Sequence, residues 1–286
     1  MVEGIAKFIK HNPGRYLNDL NNKMREDVIL HLWSHPQAYL DSLDYGGQWR
    51  EVSNKFKKIM GMLCTIPFDD MVIKKKAGRK FNYDFDFVFM NLGNPVHKVC
   101  IEFKHNATSI CDLPQYLNLT ENIGFMPYHS YAEYFYDEKI EQLCELADLE
   151  VPNKDQYMKY VYQNNYDKFP FFRQLKDKEA SIKHAKSVLV NDSIREYLEK
   201  HSSMLNLNML SYEIKRTQTK VFLLWDGVDF HLDEFTPDDM AVGTEVTVKN
   251  GNTIVVNSGG GYHNLLLRWK NHKGILFPAW QIKLTR

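Results

Sequence analysis

The sequence has no apolar run approaching the roughly 18 residues that a membrane-crossing helix requires. Its longest, such as Val221 to Trp225, are strand-sized, so no membrane span is expected. Cysteine is scarce: Cys64, Cys100, Cys111 and Cys144 show neither a CxxC spacing nor the density of a disulfide scaffold, which suits buried free thiols in a reducing compartment. Charges at Glu3, Lys7 and Lys10 interrupt what a secretory signal would need to keep apolar. The expectation is an intracellular protein, cytoplasmic or nuclear and not secreted. Net charge is also missing, because 36 Lys and Arg balance 36 Asp and Glu, and this excludes a polybasic or acidic tail protein. There is no Walker loop, dinucleotide fingerprint or Gly-x-Ser-x-Gly elbow, and His97 and Cys100 point to opposite faces of one strand. Nucleophilic catalysis therefore has no candidate.

What is present suits a folded chain. Hydrophobic residues make up 44% and aromatics 13%, enough for a sizeable core, and 286 residues allow one large domain or two modest ones. One main core with additions is expected: a helical segment over 1–43, a core over 44–226 carrying a helical insertion at about 151–216, and a β-rich region over 227–286. Richness in Asn, Lys and Tyr suggests an A+T-rich genome, such as that of a large virus or parasite.

Hydrophobic spacing places the elements. Leu17, Leu20, Met24, Val28, Leu30 and Leu32 predict a helix over 16–33, and Trp49, Val52, Phe56, Ile59, Met60 and Leu63 a second over 48–63. From Asp70 the period becomes two, first in a short strand at 71–74 and then in two alternating runs. In Tyr83 to Met90, Tyr83, Phe85, Phe87 and Phe89 face one way, while Asp84, Asp86 and Val88 face the other. In Lys98 to Lys104, Cys100, Glu102 and Lys104 share a face. The connector Asn91-Leu92-Gly93-Asn94-Pro95 is short and turn-rich, so the two runs form an antiparallel hairpin. A helix over 131–149 follows a proline-containing loop. The next stretch, 151–216, reads as polar and helical, with helices at 178–189 and 193–201, and strands close the chain at 220–225, in a hairpin over 244–257 turning at Asn250-Gly251, and at 265–269 and 275–284.

A turn centred near Gly93 or Asn94 makes paired positions sum to about 186 to 188. Asp86 then faces Cys100 or Glu102, two carboxylates meet on one face, and Lys104 joins them. Such a cluster is costly unless compensated, and Mg²⁺ suits an all-oxygen ligand set of this kind. Asp86, Glu102 and the carbonyl of Phe103 are the candidate metal ligands, and Lys104 is the candidate for orienting a water or stabilising developing negative charge. The same pattern also suits a solvated charged face on which Asp86 or Asp84 simply pairs with Lys104.

Asp86-Phe87-Val88-Phe89, followed by Val99-Cys100-Ile101-Glu102-Phe103-Lys104, resembles the PD-(D/E)XK, or restriction-endonuclease-like, nuclease superfamily. The order helix, three strands, helix also looks like the family's core, with Lys220 to Trp225 as the following strand. The resemblance covers about half the chain. It implies an α/β (α+β) fold with an αβββαβ core, a helical insertion and a small β-rich C-terminal region. It further implies a Mg²⁺-dependent endonuclease, with Mn²⁺ able to substitute, that hydrolyses phosphodiester bonds through Asp86, Glu102 and Lys104. The implied partner is nucleic acid, DNA rather than RNA, and a homodimer stays open.

The sequence departs from the family at the residue before Asp86, which is Phe85 where the family's name has proline. Asp84 is a rival ligand on the same face, and the hairpin register would set it opposite Glu102 or Lys104. Asp86 is preferred because three apolar residues follow it, as is common in the family. Glu51 on the preceding helix is a further acidic candidate beside a plain solvated role, and Gln115 sits where some relatives carry a supporting Gln-Tyr pair. Lys74, Lys75, Lys76, Arg79 and Lys80 lead into the Asp strand and are candidates for holding the phosphate backbone, or form a solvated turn. Trp269, Phe277 and Trp280 interleave with C-terminal cations and could stack on bases or pack a core. The remaining alternative is a catalytically inactive nuclease-like protein that binds protein or nucleic acid.

Overall fold

The computed structural model describes residues 15–34, 46–76, 82–118, 124–126, 130–163, 168–271 and 276–286. In chain order the main elements are α1 (Arg15–His31), α2 (Gly46–Leu63), β1 (Asp70–Lys75), β2 (Phe85–Asn91), β3 (Asn94–His105), β4 (Gln115–Asn118), α3 (Tyr131–Ala147), α4 (Lys154–Val161), α5 (Pro170–Asp177), α6 (Glu179–His201), α7 (Leu207–Gln218), β5 (Val221–Trp225), β6 (Phe230–Glu234), β7 (Val242–Lys249), β8 (Thr253–Ser258), β9 (Gly261–Asn271) and β10 (Leu276–Thr285). The fold is mixed α and β with open sheets. No helix among the described residues is long and apolar enough to cross a membrane.

The chain divides into two compact units, Met1–Leu113 with Gln218–Phe235, and Pro114–Thr217 with Thr236–Arg286. In the first, a five-stranded sheet runs β1-β2-β3-β5-β6. β1, β2 and β3 are antiparallel neighbours, β5 lies parallel to β3, and β6 returns antiparallel to β5. A parallel neighbour needs a crossover, and this one is the whole stretch that supplies the second unit's helices. The period-two pattern decides which sheet face is covered. Phe85, Phe87, Phe89, Ile101, Phe103, Leu223 and Trp225 form one core with Val28, Ile29 and Leu32 of α1 and Trp49, Val52, Phe56 and Met60 of α2. Phe56 meets Phe87 and Phe230 edge-on, with ring centroids 6.0 and 5.6 Å apart. Each ring so buried stabilises the unit by roughly 1.5–3 kcal/mol.

The β2–β3 turn has Leu92 at φ 48° and Gly93 at φ 77°, the left-handed pair of a two-residue hairpin turn. Asn91 therefore pairs with Asn94. An irregularity between Phe89 and Met90 then shifts the register by one, so that Phe87 pairs with Val99 and Asp86 with Cys100. Pro95, which has no N–H to give a ladder, sits beside this bulge.

The second unit carries the antiparallel sheet β4-β10-β9-β8-β7. Its β7–β8 hairpin turns at Asn250 and Gly251, both at positive φ, as the Asn-Gly pair predicts. The helix expected over 131–149 is α3 in this unit, beside α6, where the Tyr131 hydroxyl lies 2.6 Å from Ser193 Oγ. The two helices expected at 178–189 and 193–201 are one continuous α6. No Gly or Pro separates them, and the Ser193 hydroxyl donates back to the Val190 carbonyl without breaking the helix. β4 and β6 were not anticipated. Trp269 and Trp280 are buried, and Trp269 Nε1 donates to the Tyr131 hydroxyl at 3.3 Å, so both pack the core and neither presents a stacking surface. The Phe277 side chain lies outside the described residues.

Candidate active site

β2 begins at Phe85 while β3 continues past it to His105. Asp84 fills the gap at the strand's entry. Its backbone N–H donates to the Ile101 carbonyl at 2.9 Å and its carbonyl accepts from the Lys76 N–H at 2.7 Å. Its Oδ2 takes the Phe103 N–H at 2.9 Å, replacing a ladder bond that no strand residue supplies. The register that pairs Asp86 with Cys100 carries Asp84 to the position opposite Glu102. The two carboxylates that come together are thus Asp84 and Glu102.

Asp86, the preferred ligand from sequence, has other partners. Lys76 Nζ lies 2.7 Å and Lys98 Nζ 3.1 Å from its Oδ2, and Cys100 Sγ is 3.9 Å from Oδ1. Burial opposes its charge, but the bonds from Lys76, Lys98 and Tyr83 outweigh that and hold its carboxyl below the usual range. Of the two partners expected for Asp86, Cys100 is the one that pairs with it and Glu102 is not. The cause is the two-residue turn at Leu92 and Gly93: it starts the pairing at a sum of 185, the bulge raises that only to 186, and Glu102 falls opposite position 84, whereas 188 was needed to bring it to 86.

Glu102 is the centre of the cluster. Lys104, two residues along β3, places Nζ 2.5 Å from Oε1. Lys220, immediately before β5, places Nζ 3.1 Å from Oε2 because β5 runs parallel to β3 with Glu102 beside Phe222. Lys220 also donates to the Asn82 carbonyl. Burial works against the Glu102 charge, and the two lysines overcome it to hold the carboxyl below the usual carboxylate range. Lys104 is half-buried, which works against its charge, yet Glu102 outweighs that and raises it. Burial dominates at Lys220 and lowers it.

Asp84 has the opposite balance. Burial first, and then the charge of Glu102, push its carboxyl up to about 7 against the pull of Lys104 and the Phe103 N–H. Glu26 of α1 adds its charge to both Asp84 and Lys104. Sequence reasoning missed Lys220 and Glu26. Lys220 left one signal, a lysine at the mouth of an apolar strand. Glu26 left none, being an ordinary polar position of an amphipathic helix.

The other candidates separate. Glu51 is exposed on α2 and pairs with Lys55 one turn on, at 2.8 Å. Gln115 lies in β4 of the second unit, buried and opposite Ile282. Lys74 is exposed on β1 opposite Asp86. Lys75 holds Glu26 and Asp27 at 3.1 and 2.7 Å, and Lys76 holds Asp86. Arg79 and Lys80 lie outside the described residues. Among the described residues no three His, Cys, Asp or Glu side chains gather to cage a metal. Comparison with protein-family models, with curated proteins and with solved structures returns no match.

Proposed function

We propose that the chain is a Mg²⁺-dependent nuclease that hydrolyses phosphodiester bonds, in DNA rather than RNA, with Asp84, Glu102 and Lys104 as its reacting group. The observation that carries this reading is geometric: the hairpin register sets Asp84 across from Glu102 with Lys104 on Glu102 Oε1, and burial followed by the charge of Glu102 pushes the Asp84 carboxyl up to about 7. Two acids confined so closely repel, and a divalent cation is the counter-charge that such a pair accepts. The donor set fits: Mg²⁺ is content with one or two carboxylates and keeps several waters, and the Phe103 carbonyl is a further oxygen beside them. Bound there, the ion would polarise a phosphodiester and lower the pKa of a water. Lys104 supplies a fixed positive charge next to the carboxylates, where negative charge develops on the phosphate. Asp84, tied to the Phe103 N–H, keeps the two strands in the register that brings the acids together. The order of α2, three antiparallel strands and a fourth strand parallel to β3 supports a restriction-endonuclease-like core.

The test is cleavage of plasmid, linear and single-stranded DNA, and of RNA, with Mg²⁺ or Mn²⁺ and with chelator. Wild type is expected to cut with metal only, and Glu102→Ala to be inactive. An inert wild type, or a Lys104→Ala variant of full activity, overturns the reading. One observation favours a second reading, an inactive nuclease-like binding module. Glu102 already carries a lysine on each oxygen, so two acids face two bases without any ion. Isothermal titration with Mn²⁺ separates the two, because the binding module takes up no metal.

A further inference from the structure

Glu102 is gripped by two ammonium groups from two strands, and they are not equivalent. Lys104 is on the same strand, on Oε1, and among the described residues it makes its hydrogen bond to Glu102 alone. Lys220 comes from the neighbouring strand, on Oε2, and has other places to rest. Its Nζ also donates to the Asn82 carbonyl and lies 5.3 Å from the centroid of the Phe222 ring. The Lys220 side chain is 5% exposed and that of Glu102 14%, so the ammonium has little water to turn to when their pairing breaks. A buried carboxylate left without a counter-charge is strongly destabilising. An ammonium that leaves it must therefore be exchanged for another cation, and must find a carbonyl or a ring to go to.

We infer that Lys220 is a displaceable internal counter-ion: it covers Glu102 Oε2 until a divalent cation takes that oxygen, and then rests on the Asn82 carbonyl and the Phe222 ring while Lys104 keeps its place. The inference rests on the nuclease reading and adds regulation to it. Metal loading becomes an exchange of one cation for another, so Glu102 Oε2 always carries a positive charge and the protein's affinity for the metal is held down by its own lysine. Glu102 is the shared group, and the parallel pairing of β5 with β3 is what delivers the competitor.

Mn²⁺ titration of the full chain by calorimetry, on wild type, Lys220→Gln, Lys104→Gln and Lys220→Arg, provides the test. Lys220→Gln is expected to bind Mn²⁺ on the order of tenfold more tightly than wild type, because the competing charge is gone. Lys220→Arg, which keeps the charge, is expected to bind no more tightly than wild type. Equal gains in Lys220→Gln and Lys104→Gln would show only a general loss of positive charge and would overturn the inference. Should the Gln variants fail to fold, a wild-type crystal soaked in Mn²⁺ decides: Lys220 Nζ moved off Glu102 supports the inference, and Lys220 still on Glu102 beside a bound ion overturns it. In both of these overturning outcomes wild type still binds metal and the nuclease reading stands. If neither wild type nor Lys220→Gln takes up Mn²⁺, the nuclease reading fails and the inference with it.

Discussion

Asp84 and Asp86 stand two residues apart and titrate in opposite directions, which gives each a distinct signature in stability. Asp84 keeps its proton up to about 7 in the folded chain, whereas the unfolded chain loses it near 3.8. Between those values the unfolded state binds fewer protons, so stability falls as pH rises from about 4 to about 7 and is level above that. In chelator, Asp84→Asn should therefore be more stable than wild type at pH 8, by roughly 2–4 kcal/mol, with the gain absent near pH 4. Denaturant melts across pH measure this, and a gain independent of pH would refute the assignment. Asp86, held below 3.8 by its lysines, works the other way. Asp86→Asn should cost about 1–3 kcal/mol at pH 7, a loss that shrinks as pH drops through the native carboxyl's own low pKa. On cleavage the order reverses from what the sequence led one to expect. Asp84→Asn should abolish metal-dependent cutting as thoroughly as Glu102→Ala, while Asp86→Asn retains activity wherever the protein stays folded. The sequence already held both aspartates, Glu102 and Lys104 on one face of the hairpin. The sequence left the pair sum open between 186 and 188; the two-residue turn and the one-residue bulge together fix it at 186, and the bulge has no clear sequence mark.

Elements with a strong local period were legible: α1, α2, the β2–β3 hairpin, α3, β5 and the Asn250-Gly251 turn all follow from spacing or turn chemistry. Elements defined by distant partners were not. β6 is short and polar on one face, and β4 exists as a strand through its pairing with β10. Lys220 could not be placed because a parallel pairing across more than one hundred residues leaves no trace in local pattern. Two predictions belong at this scale. The β2–β3 turn holds Leu92, 85% exposed, at positive φ, a conformation that Asn tolerates better than Leu. Leu92→Asn should raise stability by about 0.5–1 kcal/mol without touching the core, and an unchanged or lower melting midpoint would count against the turn geometry. In α6, Glu179 and Lys186 form an ion pair that is buried at both ends. Lys186→Met alone strands the carboxylate and should cost about 3–5 kcal/mol, whereas joining it to Glu179→Leu should recover most of that loss. Additive losses in the double variant would mean that the two residues are not coupled.

At the scale of the whole molecule, zero net charge conceals an uneven distribution, and among the described residues part of its most basic run is committed to carboxylates. The run from Lys74 to Lys80 has five cations and no acid, yet Lys75 is engaged with Glu26 and Asp27, and Lys76 with Asp86. Lys98, on the adjoining strand, shares Asp86 as well. Cations committed to carboxylates neutralise few phosphates, because each must first give up a partner. Counter-ion release ties the salt dependence of binding to the number of phosphates neutralised, with a slope in log–log form of about −0.9 for each. A contact made by Lys74, Arg79 and Lys80 engages about three phosphates and should give a slope near −3. Fluorescence anisotropy of a labelled duplex, titrated in chelator between about 50 and about 200 mM salt, reads that slope directly. Lys74→Ala should flatten it by about one unit and weaken binding evenly across sequences, the behaviour of a phosphate contact rather than a base contact. A slope steeper than about −6 would require more cations than the five of this run and would place the nucleic-acid contact elsewhere on the chain.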